Sequence, residues 1–448
     1  VRVSESKPWK IGISGISLKD SRFVYRNELK RMSDKGVDYD YISVSNLNLD
    51  IRKLLIAGDS ITANISGLSF REKSGFVLNN LETAVKVKPE QISTRGLHIE
   101  TPASDLRLDL AFMHTDYEAY NHFIDSVDIR GDFSDSKLNF SDISYFAPEI
   151  TGMDNEIKFS GLVKGTISSL RARRFNLSYG KNTLFEGNIN MDGLPDIEET
   201  FIHLKVKKLT TDFEDLAMIR LPGNTGLELP EAMKVIGKVS VKGYFTGFYN
   251  DFVSSAAFTT GLGTMITDLS LKMGDDRVVD YNGHLNLVDW DLGRTLPKQD
   301  LLGKVDFVSS VTGRIDDFKT FDLNMDALIS RIGLYGNTFH NIKIDGELKN
   351  REFNGELTLR DKLINLDFRG MVDFTDSLPK MNFTSTVRNA FLSRLNLWDR
   401  DSTSCLSTRM DLDFSGTNID NLLGSLRFDS TKYTEKGKTY HVKEISLI

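Results

Sequence analysis

Two carboxylates on either side of a tryptophan are the residues of this chain best suited by type and spacing to do chemistry. Asp289 and Asp291 flank Trp290, and paired carboxylates beside an aromatic ring are typical of glycoside hydrolases. Successive side chains of a strand point to opposite faces, so a strand here puts both acids on one face and the indole on the other. This arrangement favours a solvated acidic face and a buried tryptophan over a catalytic pair.

The sequence contains no other pattern that indicates catalysis or a metal site. It has no G-x-S-x-G, Walker, G-x-G-x-x-G, H-E-x-x-H or EF-hand motif. Cys405 is the single cysteine, which excludes an intrachain disulfide and a cysteine-rich zinc site. The seven histidines lie far apart, without the short spacings of metal ligands: His98, His114, His122, His203, His284, His340 and His441. We therefore predict no enzyme, no metal centre and no cofactor.

Charge and hydropathy exclude further classes. The chain has 56 basic and 63 acidic residues, a net charge of −7, whereas a nucleic-acid partner calls for a basic face. No window approaches the 18 consecutive apolar residues of a membrane-spanning helix. The chain begins at Val1 rather than at methionine, and we interpret it as a fragment of a longer protein.

The clearest positive signal is an alternation of apolar and polar residues between Gly303 and Phe374. Period 2 is the strand period, and short polar or glycine-containing segments between the runs are typical of hairpin connections. The pattern predicts antiparallel strands that are apolar on one face. The cleanest apolar positions are our candidates for lining a groove: Leu323, Met325, Leu357, Leu359, Ile364, Leu366, Phe368, Val372 and Phe374.

The same pattern recurs through the chain and predicts roughly 30 strands with few helices. Short helices are expected at Thr211–Leu221 and Pro230–Ile236, and a helical turn or two at Tyr117–Ile124. The rhythm of strand, helix and strand that a parallel sheet needs is missing. We predict an all-β fold, one continuous elongated region over residues 1–448, with weak repeat units that start near residues 159, 237, 303 and 410.

The apolar faces of these strands need a cover, and alternation leaves three possibilities open. A second sheet, a sheet wound into a β-helix, or a sheet bent into a partly open groove would each serve. In the first two the candidate residues fill a closed core. In the third they form an apolar lining.

Several stretches resemble the TamB-like (translocation and assembly module) proteins of the AsmA-like superfamily, Bacteroidetes type. The resemblance is carried by WKIGISGISLKDSRFVY from Trp9, VDYDYISVSNLNLDI from Val37 and LSFREKSGFVLNNLETAVKV from Leu68. Supporting stretches are SGLVKGTISSL, YNGHLNLVDWDLGRTL and DFSGTNIDNLLGSLRF. The resemblance extends over essentially all 448 residues.

The resemblance implies a fold and a role. Proteins of this family cross the periplasm as a long bent β-sheet, the β-taco or repeating β-groove, behind an N-terminal inner-membrane helix. They are linked to phospholipid transport between the inner and outer membranes, and to outer-membrane protein assembly with a TamA- or BamA-like barrel protein. We expect the anchor and the region that meets this barrel to lie outside the present chain.

Our leading hypothesis is therefore a periplasmic segment of an envelope-spanning protein that carries phospholipids in an apolar groove. Burial of an acyl chain there is favourable by about 0.8 kcal/mol per CH₂. One alternative is a scaffold or assembly factor whose sheet edge pairs with client strands. A third hypothesis is a β-helical carbohydrate-active protein that uses the acids beside Trp290.

Overall fold

The structure of the chain is a computed structural model. The structure describes residues 9–30, 36–227, 229, 233–274, 278–296, 300–316, 320–397, 401–417 and 421–448. Contacts group the chain into two compact units. Unit 1 comprises Val1–Met233 and Lys238–Tyr249, and unit 2 comprises Lys234–Gly237 and Asn250–Ile448.

Unit 1 is built on an antiparallel sheet in which each strand pairs with the next along the chain. Twelve strands follow one another in this way, β4 extends the edge of β3, and β13 and β14 form a separate two-stranded ribbon. The strands are β1 Lys10–Arg26, β2 Tyr41–Ala57, β3 Ser60–Glu72, β4 Val77–Leu78, β5 Asn80–Lys88, β6 Gln91–Glu100, β7 Asp105–Met113, β8 Asp128–Asn139, β9 Glu156–Thr166, β10 Ser169–Tyr179, β11 Thr183–Asp192, β12 Phe201–Thr211, β13 Arg220–Leu221, β14 Thr225–Gly226 and β15 Val239–Gly247.

Unit 2 repeats this arrangement with twelve strands, again paired antiparallel in chain order. They are β16 Asp251–Thr259, β17 Thr264–Met273, β18 Val278–Asp291, β19 Leu302–Asp316, β20 Thr320–Leu334, β21 Asn337–Lys349, β22 Glu352–Arg360, β23 Asn365–Asp373, β24 Lys380–Phe391, β25 Cys405–Ser415, β26 Leu423–Glu435 and β27 Lys438–Leu447. Neighbouring strands lie about 4.8 Å apart. The predicted all-β, antiparallel and repetitive fold class is confirmed.

Helices are few and short. The α-helices are α1 Phe123–Ser126, α2 Phe140–Ile143, α3 Phe213–Ala217, α4 Met233–Ile236 and α5 Leu292–Thr295. Short 3-10 turns occupy Tyr117–His122, Pro148–Ile150 and Pro222–Asn224. The helical turns predicted at Tyr117–Ile124 are confirmed.

The helix predicted over Thr211–Leu221 is shorter than expected. The side chain of Asp212 accepts a hydrogen bond from the Asp215 amide and caps α3. The helix ends at Ala217 because Arg220 and Leu221 pair instead with Gly226 and Thr225. Of the helix predicted at Pro230–Ile236, the structure describes α4, and residues 230–232 lie outside the described part of the chain.

The repeat units remain a prediction. Residues 159, 303 and 410 lie within β9, β19 and β25, and residue 237 just precedes β15. The short motif aromatic-x-Gly recurs on strands of both units, as in Phe185-Glu186-Gly187 and Phe353-Asn354-Gly355. A Cβ added at either glycine would approach the ring of the phenylalanine two residues earlier within 3.1 Å, so the ring lies across its own glycine.

Candidate functional site: the apolar face of unit 2

Strand register lines up the apolar positions of unit 2 in rows that cross the sheet from β19 to β25. Four adjacent rows contain apolar, glycine and hydroxyl side chains and no charged residue. They are Gly313–Leu323–Leu348–Phe353–Val372–Met381–Phe414, Val311–Met325–Gly346–Gly355–Gly370–Phe383–Leu412, Ser309–Ala327–Ile344–Leu357–Phe368–Ser385–Met410 and Phe307–Ile329–Ile342–Leu359–Leu366–Val387–Thr408. Because residues two apart share a face, these rows form one continuous apolar face.

One side of this face is a closed core. The row through Leu359 packs in clusters that include Trp290, Val305 and Ile332 from the strands. Residues from connections between strands complete these clusters: Ile236, Leu262, Leu292, Leu363, Ile364, Leu392 and Leu395. Connecting segments therefore fold over the strand ends and bury this part of the face.

The first two rows belong to neither cluster, and we call them the apolar strip. Eight of their large side chains are half-buried: Leu323, Met325, Leu348, Phe353, Val372, Met381, Phe383 and Phe414. Val311 and Leu412, at the two ends of the second row, are buried. Large apolar side chains with retained solvent contact in adjacent rows are the expected character of a binding surface for an apolar ligand.

Glycines shape the middle of the apolar strip. Gly346, Gly355 and Gly370 are direct cross-strand neighbours on β21, β22 and β23. A Cβ at Gly355 would lie 2.4 Å from the Asp345 carbonyl oxygen and 2.6 Å from Gly346 Cα. Side chains are thus excluded at the centre of the apolar strip, where the ring of Phe353 lies across Gly355.

The nine residues predicted from the sequence fall into three environments. Leu357, Leu359, Ile364 and Leu366 pack in the closed core. Leu323, Met325 and Val372 belong to the apolar strip, and Phe368 borders it, with its ring centroid 6.1 Å from that of Phe353 and 4.8 Å from that of Phe383. Phe374 follows the end of β23 and is 42% exposed. The structure thus brings four of the nine residues together at the half-buried surface.

The residues of β23 that lie on the face opposite to the apolar positions include charged side chains. Asp367 accepts hydrogen bonds from Arg360 and from Arg388, the latter at 2.8 Å. The hydrogen bond from Arg360 is the main reason why the pKa of Asp367 lies below its usual range, since it outweighs the opposing effect of burial. The two faces of the strand therefore differ as the alternation predicts.

The acids beside Trp290 have separate partners. Trp290 is 7% exposed and packs in the core, and its indole nitrogen donates to Thr295 Oγ1 at 3.0 Å. Asp289 forms ion pairs with Lys304 and Arg331. Asp291 caps α5 by accepting from the Arg294 amide at 2.9 Å. Both carboxylates thus make contacts that stabilise the local structure.

Unit 1 contains a cleft of mixed character that the sequence reasoning missed. A cleft of about 630 Å³ is lined by Phe159, Leu177, Leu184 and Phe185 together with polar residues and charged residues of both signs, Asp135, Lys137, Lys158, Glu186 and Lys208. The alternation in β9–β11 is a signal that could have pointed to its apolar residues.

Comparison with known proteins gives no assignment, since no family model, curated protein or solved structure matches this chain. Across the described ranges, none of the helices has the length and apolar character needed to cross a membrane.

Proposed function

We propose that the apolar strip of unit 2 binds the acyl chains of phospholipids. The observation that supports this function is the pair of charge-free rows in which eight large side chains remain half-buried next to a closed core. Acyl chains need no polar partner, and each CH₂ removed from water contributes about 0.8 kcal/mol.

We extend the proposal to transport. The resemblance to TamB-like proteins supports a role in the periplasm, where the chain would be a segment of an inner-membrane-anchored protein that moves phospholipids towards the outer membrane. The same resemblance supports an outer-membrane barrel protein of the TamA or BamA kind as a partner. A surface that holds acyl chains without specific polar contacts suits a carrier, because weak, repeated binding allows release.

The proposal is tested by acyl-chain binding with the fluorescent fatty acid cis-parinaric acid, and by mass spectrometry of phospholipids that co-purify without detergent. Leu323→Gln with Met325→Gln places two polar side chains in the apolar strip on β20. We expect this variant to bind the probe at least tenfold more weakly than the wild type, with an unchanged circular dichroism spectrum.

A matched control uses the opposite face. Val308→Gln with Leu328→Gln changes two register partners that are 51% and 48% exposed, and we expect wild-type binding. Val372→Thr provides a second strip variant of nearly unchanged shape. Absence of binding by the wild-type chain, or equal loss in the strip and control variants, would contradict the proposed function.

A further inference from the structure

Three neighbouring strands of unit 1 bring one histidine and three carboxylates together. Glu82 lies on β5, His98 and Glu100 on β6 and Asp105 on β7. Register pairs Glu82 with His98 and Glu100 with Asp105, and His98 and Glu100 are two residues apart on one strand. The sheet therefore fixes these four side chains on a single face, although the sequence separates them by up to 23 positions.

The two ring nitrogens of His98 face different carboxylates. Nδ1 lies 3.4 Å from Glu82 Oε1. Nε2 lies 3.2 Å from Glu100 Oε1 and 3.0 Å from Asp105 Oδ1. A nitrogen carries at most one hydrogen, so two carboxylate oxygens converge on an Nε2 atom that can donate to only one of them fully.

We propose that His98 Nε2, Glu100 Oε1 and Asp105 Oδ1 bind one divalent transition-metal ion of the Zn²⁺ class. Ligand atoms held tetrahedrally at 2.0–2.2 Å from a common ion are about 3.3–3.6 Å apart. The distances of 3.2 and 3.0 Å from Nε2 are slightly shorter than this, so small side-chain rotations admit the ion. The ion takes the place of the shared hydrogen and satisfies both oxygens. Among the residues that the structure describes, this is the one group of ligand-type side chains that converges in this way.

Glu82 supports this assignment from the other side of the ring. A carboxylate that accepts from Nδ1–H holds the ring with Nε2 towards Glu100 and Asp105, where the ion replaces the Nε2 hydrogen, as is usual for metal-binding histidines. The side chain of His98 is 18% exposed, so its ring is held by the sheet. The three carboxylates and Arg107 together carry a charge of −2, which a divalent cation balances.

Arg107 competes with a metal ion for the carboxylate of Asp105. Its guanidinium donates to both oxygens of Asp105, at 3.2 and 3.1 Å. Arg107→Ala should tighten metal binding severalfold because it frees Asp105 Oδ1.

The test is isothermal titration of the full chain with ZnCl₂ at neutral pH. We expect one equivalent to bind, and His98→Ala and the isosteric Glu100→Gln each to weaken binding at least tenfold. His284→Ala is the matched control, since His284 is an exposed histidine of another strand, and it should bind as the wild type does. An imidazole ligand favours Zn²⁺ over Ca²⁺, so a tenfold excess of CaCl₂ should leave the titration unchanged.

Three results would overturn the site: no saturable Zn²⁺ binding by the wild type, equal binding by His98→Ala and His284→Ala, or displacement of Zn²⁺ by Ca²⁺. Circular dichroism of each variant separates loss of the ligand from loss of the fold, and Glu100→Gln keeps the test valid if His98→Ala is unstable. The result is independent of acyl-chain binding in unit 2.

Discussion

Units 1 and 2 share an architecture of antiparallel strands in chain order, but they bury different side chains. Glycine aside, 12 of the 21 buried residues described in unit 1 are polar or charged, against 6 of 21 in unit 2. Buried polar groups need hydrogen-bond partners, whereas apolar groups need only close packing. Unit 1 therefore relies more on specific polar contacts and unit 2 on a packed apolar core.

Asp215 is the clearest example in unit 1. Its side chain is 1% exposed and accepts hydrogen bonds from the amides of Lys181, Asn182 and Thr183 and from the Thr183 hydroxyl, at 2.7–2.9 Å. The carboxylate thus holds the turn between β10 and β11 against α3. Asp142 plays a comparable part, since it accepts from the hydroxyls of Thr101 and Ser104.

In unit 2, packed leucine, isoleucine and tryptophan side chains hold the strands and their connecting segments together. Leu262, Trp290, Ile332 and Leu359 are members of one cluster that spans several strands and the segments between them. Such a core tolerates a half-buried surface beside it, because its stability does not depend on every apolar side chain being covered. The comparison shows that the same strand order can be stabilised by buried polar contacts in unit 1 and by a packed apolar core in unit 2. In unit 2 part of the apolar face remains half-buried.

The largest effect is expected in unit 1 for Asp215→Asn. The amide has one acceptor oxygen and places an NH₂ group against backbone donors, so buried hydrogen bonds are lost. We expect the free energy of unfolding to fall by about 4 kcal/mol. Hydrogen exchange of the residues 181–183 amides measures this change, and wild-type protection in the variant would contradict the role of Asp215.

The same carboxylate predicts the pH dependence of unit 1. Burial opposes its ionisation, yet the hydrogen bonds from Lys181, Asn182 and Thr183 hold the pKa of Asp215 below its usual range. A lowered pKa contributes stability that is present above the unfolded value of about 3.9 and is lost as the pH falls through the folded value. Protection at residues 181–183 should therefore decline below about pH 4, and Asp215→Asn should remove this decline.

A smaller loss is expected in unit 2 for Leu359→Ala. Leu359 is 8% exposed within the cluster that contains Trp290, and its truncation leaves a cavity. We expect the free energy of unfolding to fall by about 3 kcal/mol, without the pH dependence of Asp215. Met325→Ala, in the apolar strip, is the control and should cost less than half as much. Equal losses, measured by urea unfolding, would mean that the strip is as closed as the core.

Gly355→Ala tests the centre of the apolar strip. The added methyl group would contact the Asp345 carbonyl oxygen and Gly346 Cα within 2.6 Å, which forces the strands apart. We expect a loss of about 2 kcal/mol and weaker binding of cis-parinaric acid. Gly12→Ala, where the added atom meets nothing within 4 Å, should change neither property. Unchanged stability of Gly355→Ala would show that β21 and β22 adjust freely.

The smallest effect is expected for Asp291→Ala, which removes the cap of α5. We expect a loss of about 1 kcal/mol and no change in acyl-chain binding. Asp291→Ser keeps a capping oxygen and should recover most of the stability. A loss of several kcal/mol would indicate that α5 contributes more to the core of unit 2 than its cap contact implies.

The strand pattern was predictable because it is local. Alternation over five to nine residues is enough to identify which side chains of β20, β22 and β23 share a face, and it correctly grouped Leu323 with Met325 and Leu357 with Leu359. The resemblance to TamB-like proteins and the function it implies stay predictions.

The division of the apolar face was decided only by the tertiary structure. Leu359 and Met325 have the same local pattern, but segments distant in sequence, including Leu262, Leu292 and Leu395, fold over one side of the face and not over the rows of the apolar strip. Register decided the group around His98 in the same way, because it sets Glu82 and Asp105 beside residues that lie on another strand. Sequence periodicity determines the face of a side chain, whereas contacts between distant segments determine what covers that face and which side chains meet on it.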